Sequence, residues 1–214
     1  MARLQPGPES VAPDNSNCAL LILDIINTFD FPQGEQLYER ALPMCDALAD
    51  LKRRCKEVGI PAIYVNDHFG RWRSDFSALV EQCRQDGFRG REILQKLAPE
   101  ADDYFVFKPM HSGFYQTTLE LLLHHLQTRC LIVTGLASNI CVLFTVNDAH
   151  MRRYSLWTPS DCMAAATQAE QDYAEMHFGK VLSADTRPGA RIPLPRLQEP
   201  GGNAAAERPV GRGD

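Results

Sequence analysis

Residues 18–24 read Cys18-Ala19-Leu20-Leu21-Ile22-Leu23-Asp24, an unbroken apolar run that ends in an acid. A run of this kind is typical of a strand buried on both faces, as in a parallel sheet. Similar short runs follow at 60–65, 103–107, 130–134 and 154–158. The sequence therefore predicts a central sheet of five or six strands.

Helical patterns separate these runs. Apolar residues recur at helical spacing over 43–59, 115–126, 139–153 and 167–181. Pro43 suits a first helical turn, and Gly59 suits a helix end, so we expect the first helix to begin at Pro43. Strands that alternate with helices imply right-handed crossovers and a mostly parallel sheet. We expect a Rossmann-like three-layer α/β/α fold.

The chain of 214 residues is long enough for one domain. Residues 1–16 and 188–214 are rich in Pro, Gly and polar residues, so we expect two flexible tails around a folded domain at 17–187. The segment 69–99 is long and mixed in composition. We expect it to form a lid or an excursion beside the site.

Composition excludes several classes of protein. The formal net charge of -5 and the scattered basic residues argue against nucleic-acid binding. The sequence has no signal-peptide core, no membrane-length apolar run and no Gly-rich phosphate loop. Seven cysteines without a Cys-x-x-Cys pair argue against a disulfide framework. We expect a soluble cytoplasmic protein that acts on a small molecule without a cofactor or a membrane partner.

Three chemically active residues follow predicted strands. Asp24 ends the first strand, Lys108 follows the third and Cys141 lies just after the fourth. Ligands of open parallel sheets bind beyond the carboxyl ends of the strands. We therefore expect these three side chains to converge in one crevice.

Cys141 follows a run of small residues and lies in the first turn of a predicted helix, which Ser138 or Asn139 can cap. The N-terminus of a helix lowers the pKa of a thiol and binds a developing oxyanion. Cys141 is thus a candidate nucleophile. From its position alone, a buried small residue is an equally good interpretation.

Asp24 and Lys108 are weaker candidates when each is considered alone. A carboxylate at Asp24 can accept the thiol proton, although a cap for the loop 25–28 is a slightly better interpretation of that residue alone. Lys108 can stabilise neighbouring anions, but most lysines are simply solvated. Only their combination with Cys141 indicates catalysis.

Several motifs occur in one order along residues 17–187. They are Leu21-Ile22-Leu23-Asp24 with Asn27 and Phe29, Gly59-Ile60-Pro61, Lys108-Pro109-Met110-His111-Ser112-Gly113-Phe114 with Thr117 and Leu119, Thr134-Gly135 through Cys141-Val142 with Thr145 and Asp148-Ala149, and Asp161-Cys162-Met163-Ala164-Ala165. In these motifs the sequence resembles the isochorismatase-like cysteine hydrolases, a group that includes nicotinamidases and other small-amide hydrolases.

The resemblance implies a site and a reaction. It implies a catalytic triad of Asp24, Lys108 and Cys141, an oxyanion hole formed by the N–H groups of Ala137 and Cys141, and a cis peptide bond at Leu136–Ala137. The implied reaction is hydrolysis of an amide-type C–N bond of a small molecule through a thioester, with no cofactor. It also implies a homo-oligomer, either a dimer or a tetramer.

Two other functions fit the same fold. One is vinyl ether hydrolysis of the isochorismatase type, in which Cys141 takes no part, and the other is ligand binding by a non-catalytic homologue. The presence of Cys141 disfavours the first. A buried acid and amine beside a thiol disfavour the second, since simple binding does not need them.

Metal binding is disfavoured by residues 66–72. Metal-binding nicotinamidases carry an Asp-x-His pair here, whereas Asp67 and His68 are adjacent and point to opposite sides of an extended chain. We therefore predict no metal site. His68 and His111 are interpreted as polar pocket or structural residues, with substrate binding as an alternative for either.

Aromatic residues near the expected crevice are candidates for a substrate pocket. They are Phe29, Phe69, Trp72 and Phe114. Such side chains can enclose a flat or apolar ligand, although aromatics in these loops are as often part of the core.

Overall fold

Parallel strands form the central sheet of the described part of the chain, residues 16–68 and 75–194 of a computed structural model. The strands are β1 (Cys18–Leu23), β2 (Ala62–Asp67), β3 (Tyr104–Lys108), β4 (Cys130–Leu136), β5 (Ser155–Trp157) and β6 (Met163–Ala164). All the pairings between them are parallel.

Helices cover both faces of the sheet. They are α1 (Gly34–Glu57), α2 (Phe76–Arg84), α3 (Gly90–Leu97), α4 (Leu119–His125), α5 (Leu143–Met151) and α6 (Gln168–Met176). Within residues 16–68 and 75–194, no helix is both long enough and apolar enough to cross a membrane. The predicted three-layer α/β/α fold is confirmed.

The order of the strands places a crevice at the centre of the sheet. The order is β3-β2-β1-β4-β5, and β6 pairs with the end of β4. The chain builds one half of the sheet outward from β1 and then returns to build the other half from β4. Such a reversal opens a cleft at the carboxyl ends of the two central strands. Asp24 and the loop after β4 border this cleft.

Strand β1 divides the core into two layers. Leu20 and Ile22 pack with the residues of α1, α2 and α3, while Leu21 and Leu23 pack with α4, α5 and α6. All four side chains are fully buried. Each contributes about 1.5–3 kcal/mol to folding relative to an exposed side chain. This two-sided burial explains the unbroken apolar run in the sequence.

The first helix begins nine residues before the predicted start. Pro43 lies inside α1, which begins at Gly34, so the predicted boundary was wrong. An internal proline removes one helical hydrogen bond. Leu37 and Ala41 nevertheless lie on the buried face of the helix, and their burial stabilises the additional turns.

Helix α4 begins later than predicted, at Leu119 rather than Tyr115. The hydroxyl of Thr117 donates to Gly113 O and accepts a hydrogen bond from the backbone N–H of Leu119. A hydroxyl that bonds nearby backbone groups in this way favours a turn over a helix. The preceding residues therefore remain in a loop at the edge of the cleft.

The segment expected to form a lid or excursion contains two helices, α2 and α3. Leu79, Cys83, Ile93 and Leu97 from these helices are buried in the same core layer as α1. Residues 69–74 lie outside the described part of the chain. The described remainder of this segment is thus packed onto the domain.

The C-terminal segment also packs onto α1, although the tail was predicted to begin at Pro188. Ile192 and Leu194 are buried, and the guanidinium of Arg54 donates to Gly189 O and Ile192 O. Two apolar side chains are too few to produce a recognisable pattern in the sequence. Residues 1–15 and 195–214, which include most of both predicted tails, lie outside the described residues.

Gly135 allows β1 and β4 to approach each other beside the cleft. Its φ is +107°, and an added Cβ would overlap the backbone of Leu23. We expect Gly135→Ala to lower the free energy of unfolding by about 2–6 kcal/mol, since overlap and backbone strain each cost about 1–3 kcal/mol. Urea denaturation measures this change.

Gly87→Ala is the matched control for this substitution. Gly87 also has a positive φ of +94°, but nothing lies within 4 Å of the added Cβ. The control carries the backbone strain without the overlap. Equal destabilisation by the two substitutions would show that the close approach of the strands does not matter.

Candidate active site

Asp24 is held at the end of β1 by contacts on two sides. Its backbone has a φ of 49°, and the residue is only 5% exposed. Oδ1 accepts a hydrogen bond of 2.7 Å from the backbone N–H of Asp67, and Oδ2 lies 2.8 Å from Nζ of Lys108. A buried carboxylate needs such partners. The carboxylate is therefore fixed beside the ammonium group.

Lys108 is the last residue of β3, and its side chain is fully buried. Besides Asp24, its Nζ contacts Met110 O at 3.2 Å and Cys141 Sγ at 3.3 Å, and lies 3.7 Å from Asp67 Oδ2. Burial alone would lower the pKa of Lys108, but the negative charge of Asp24 and the neighbouring Cys141 outweigh it and raise the pKa. The amine is therefore a buried cation that links the acid to the sulfur.

Cys141 lies in a π-helical turn at Ser138–Val142, directly before α5. It is partly exposed, while the other cysteines of the described residues are buried. Burial and the nearby Asp24 carboxylate raise the pKa of the thiol, and Lys108 opposes them. The sequence led us to expect a lowered pKa, which is wrong for this arrangement. A raised pKa favours the protonated thiol, so a role of Cys141 as nucleophile would require a base.

The turn that carries Cys141 is shaped by its backbone. The Leu136–Ala137 peptide bond, which the family resemblance implied to be cis, is cis in the structure. Ala137 O accepts hydrogen bonds from the N–H groups of Ile140 and Val142 at 3.0 and 3.2 Å. These contacts fold the chain tightly between β4 and the thiol.

The predicted side-chain cap of this turn is absent. Neither Ser138 nor Asn139 caps it; instead, Ser138 Oγ donates to Oε1 of Gln171 at 2.8 Å. Both Ser138 and Gln171 are buried. The hydroxyl thus anchors the turn to α6, an interaction between distant residues that local sequence patterns do not reveal.

The structure brings the three candidate catalytic side chains together around one atom, Nζ of Lys108. Asp24 lies on one side of it and Cys141 on the other. Ala137 and Cys141, the candidate oxyanion donors, are both in the segment that follows the cis bond. Their catalytic roles remain predictions, and the geometry allows proton transfer between neighbours at hydrogen-bonding distance.

The predicted aromatic pocket is not supported. Phe29 is 1% exposed and packs edge-on against Tyr38, while Phe114 is 5% exposed and packs against Tyr154. Both rings belong to the hydrophobic core. Their apolar neighbours bury them, so they are not open walls of a cleft. The other two candidates, Phe69 and Trp72, lie outside the described residues.

Two further groups lie at the site that were not among the predicted catalytic residues. Asp67 pairs in register with Lys108 at the ends of β2 and β3, and a register argument could have found it. Nδ1 of His111 lies 4.0 Å from Cys141 Sγ, and its ring lies against Phe144. From the sequence, His111 was interpreted as a polar pocket or structural residue, with substrate binding as an alternative. It lies beside the nucleophile candidate, where it can contact a substrate.

The geometry gives no metal-binding cluster in the part of the chain that is described. Across residues 16–68 and 75–194, no three His, Cys, Asp or Glu side chains are grouped so that they could hold an ion. The side chains of Asp24 and Asp67 instead face the ammonium group of Lys108. That cation occupies the space between the carboxylates, so a shared ion there would meet charge repulsion.

Comparisons with known proteins agree with this architecture. The model of the isochorismatase domain matches residues 18–186. The uncharacterized isochorismatase family protein YaaI of Bacillus subtilis is 42% identical over 167 residues, which cover 78% of this chain and 91% of YaaI. The ureidoacrylate amidohydrolase RutB of Methylorubrum extorquens is 40% identical over 176 residues, 69% of each chain.

A solved structure gives the same result. The N-carbamoylsarcosine amidase of Thermoplasma acidophilum superposes with a TM-score of 0.61 at 25% identity, covering 83% of this chain and 99% of that one. The domain match at residues 18–186 spans the strands that carry the candidate site. The chain belongs to the isochorismatase family of hydrolases, and amidohydrolases are among its relatives.

Proposed function

We propose that this protein is a cysteine hydrolase that cleaves an amide-type C–N bond of a small molecule through a thioester. The observation that carries the proposal is the position of Lys108 Nζ, 2.8 Å from the Asp24 carboxylate and 3.3 Å from the Cys141 sulfur. An acid, a buried cation and a thiol in contact form the activated-nucleophile arrangement used in acyl transfer.

The first half of the reaction forms the thioester. The Asp24 carboxylate accepts the Cys141 proton as the sulfur attacks the substrate carbonyl carbon. The N–H groups of Ala137 and Cys141 bind the resulting oxyanion. Asp24 then gives the proton to the substrate nitrogen, the C–N bond breaks, and ammonia or an amine leaves. Lys108 remains protonated and stabilises the negative charge that moves between Asp24 and Cys141.

The second half returns the enzyme to its resting state. Asp24 accepts a proton from water as the water attacks the thioester carbon. The C–S bond breaks, the carboxylic or carbamic acid is released, and the sulfur regains a proton from Asp24. The net reaction consumes one substrate and one water molecule. Each step uses residues already in contact, so the site itself supplies the base, the acid and the nucleophile.

Ureides and related carbamoyl compounds are the substrates of first choice for a test. Two of the relatives are named as a ureidoacrylate amidohydrolase and an N-carbamoylsarcosine amidase, and both names denote cleavage next to a carbamoyl carbon. We extend this chemistry to the present chain as part of the proposal. Hydrolysis of a ureide by this route would release ammonia among the products.

A substrate screen tests the proposal. Purified protein is incubated with panels of small amides, ureides and carbamates, for which ammonia release is measured, and with a vinyl ether, for which loss of the substrate is measured. Acid-quenched reactions are then digested to look for an acyl adduct on the peptide that contains Cys141. We expect turnover and an adduct with at least one ureide or amide. Turnover of a vinyl ether alone, with no adduct on Cys141, would contradict the proposal and favour isochorismatase-type chemistry.

A further inference from the structure

Thr145 connects two parts of the candidate site that come from different strands. Its hydroxyl donates to Cys141 O at 2.7 Å and accepts from the backbone N–H of Gly113 at 2.9 Å. The first bond is common for threonine, four residues after its partner in a helix. The second is not local, since Gly113 follows β3 and Thr145 lies in α5. The side chain therefore joins the nucleophile turn to the loop after Lys108.

That loop, residues 109–114, is here called the lysine loop because one of its carbonyl groups accepts a hydrogen bond from the Lys108 amine. Met110 O accepts a hydrogen bond from Nζ of Lys108, and His111 lies beside the sulfur of Cys141. A shift of the lysine loop would move both groups relative to the thiol. The position of the loop is thus linked to the geometry around the sulfur.

The contact between Thr145 and the lysine loop is close and sheltered from water. Thr145 is fully buried. Gly113 packs so tightly that a Cβ at this position would lie 3.0 Å from Val65 and 3.5 Å from the methyl group of Thr145. A buried N–H whose partner is removed loses its hydrogen bond without gaining one to water. The hydroxyl of Thr145 therefore restrains the position of the loop.

A second side chain of α5 contacts the same loop. Ser112 Oγ donates to Asp148 Oδ2 at 2.5 Å, and the backbone N–H of Phe114 donates to Ser112 Oγ at 3.1 Å. Asp148 is also paired with Arg152 at 3.2 Å. This contact is nearer the surface than the one at Thr145. It holds the residue next to Gly113, so α5 contacts the loop at two consecutive positions.

We propose that Thr145 is a positioning residue that fixes the lysine loop against the turn carrying Cys141, and so sets the contact between the Lys108 amine and the Cys141 sulfur. The inference rests on the proposed hydrolase function for its effect on turnover. Its effect on the reactivity of the thiol does not depend on that function.

The test compares Thr145→Val, which removes the hydroxyl and keeps the shape, with Thr145→Ser, which keeps the hydroxyl. Thr128→Val is the matched control, because Thr128 is also buried and donates to Ser16 O, at the opposite end of the sheet. Two quantities are measured: the rate at which iodoacetamide alkylates Cys141, mapped by peptide mass, and kcat and KM with the ureide that wild-type protein hydrolyses fastest.

We expect Thr145→Val to slow alkylation of Cys141 at about pH 8 by about threefold or more, because Lys108 favours the thiolate. Its kcat should fall about 10- to 100-fold with little change in KM, the effect of a misplaced catalytic group. Thr145→Ser and Thr128→Val should stay within about twofold of wild type in both measurements.

General loosening of the fold would raise the alkylation rate instead of lowering it, because it would expose several buried cysteines to iodoacetamide. Wild-type rates in Thr145→Val, or equal losses in Thr145→Val and Thr128→Val, would overturn the proposal. If Thr145→Val does not fold, Thr145→Ala is judged by the same criteria. If wild-type protein hydrolyses nothing but Thr145→Val still slows alkylation selectively, the proposed function fails and the positioning role stands.

Discussion

Replacing Cys141 by alanine should lower kcat/KM for ammonia release by at least about 10⁴-fold, because the substitution removes the proposed nucleophile and with it the thioester route. The side chain is the partly exposed thiol beside Lys108, whereas the other cysteines of the described residues are buried. Loss of the sulfur leaves Asp24 and Lys108 paired at 2.8 Å. The fold should therefore survive while the chemistry stops.

The control for this substitution is Cys45→Ala. Cys45 is buried in α1, and its thiol donates to Ala41 O in the preceding turn of the same helix. The control removes one buried sulfur atom without touching the site, so activity should remain within about twofold of wild type. Substantial turnover by Cys141→Ala would instead assign the bond cleavage to Asp24 and Lys108 alone, as in vinyl ether hydrolysis.

Much of the fold could be predicted from the sequence because burial leaves a local signature. The run at 18–23 is apolar throughout, and the structure buries it between two layers of helices. Apolar runs of the same kind predicted that Asp24 and Lys108 lie at the ends of strands, where the structure has them. Parallel strands bring such ends to one edge of the sheet, so convergence of the two side chains followed from the chain order.

Interactions between distant residues could not be predicted in the same way. The start of α1 depends on burial of Leu37 and Ala41, which a proline-based rule for helix ends does not include. The bond from Ser138 to Gln171 replaced the expected cap, since the partner comes from another helix. Local patterns describe one segment at a time, and these contacts exist only once the segments have packed.

The direction of the pKa shift of Cys141 was predicted wrongly for the same reason. Position at the start of a helix suggested a lowered pKa, but burial and the Asp24 carboxylate raise it. The charge beside the sulfur comes from β1, more than a hundred residues away in the chain. The raised pKa favours the protonated thiol, so the proposed mechanism requires a base, the role that it assigns to Asp24.

Asp24→Asn should therefore change two rates in opposite directions. Hydrolysis should fall about 10²- to 10⁴-fold, because an amide cannot act as the general base. Alkylation of Cys141 by iodoacetamide should become faster, because the substitution removes a negative charge that raises the thiol pKa. A lower pKa gives more thiolate at a given pH, so the midpoint of the alkylation rate against pH should move to lower pH.

Lys108→Met should move the same midpoint to higher pH, since Lys108 is the group that lowers the thiol pKa. Asp67→Asn is the matched control for Asp24→Asn, because Asp67 lies 3.7 Å from the same amine but is not the proposed base. It should reduce hydrolysis by less than about tenfold. Slower alkylation in Asp24→Asn would show that this carboxylate does not raise the thiol pKa. Hydrolysis as fast as in wild type would show that it does not accept the thiol proton. Opposite pH shifts in the Asp24 and Lys108 variants, accompanied by loss of turnover in both, would mean that one acid and one cation jointly determine when the sulfur becomes a nucleophile.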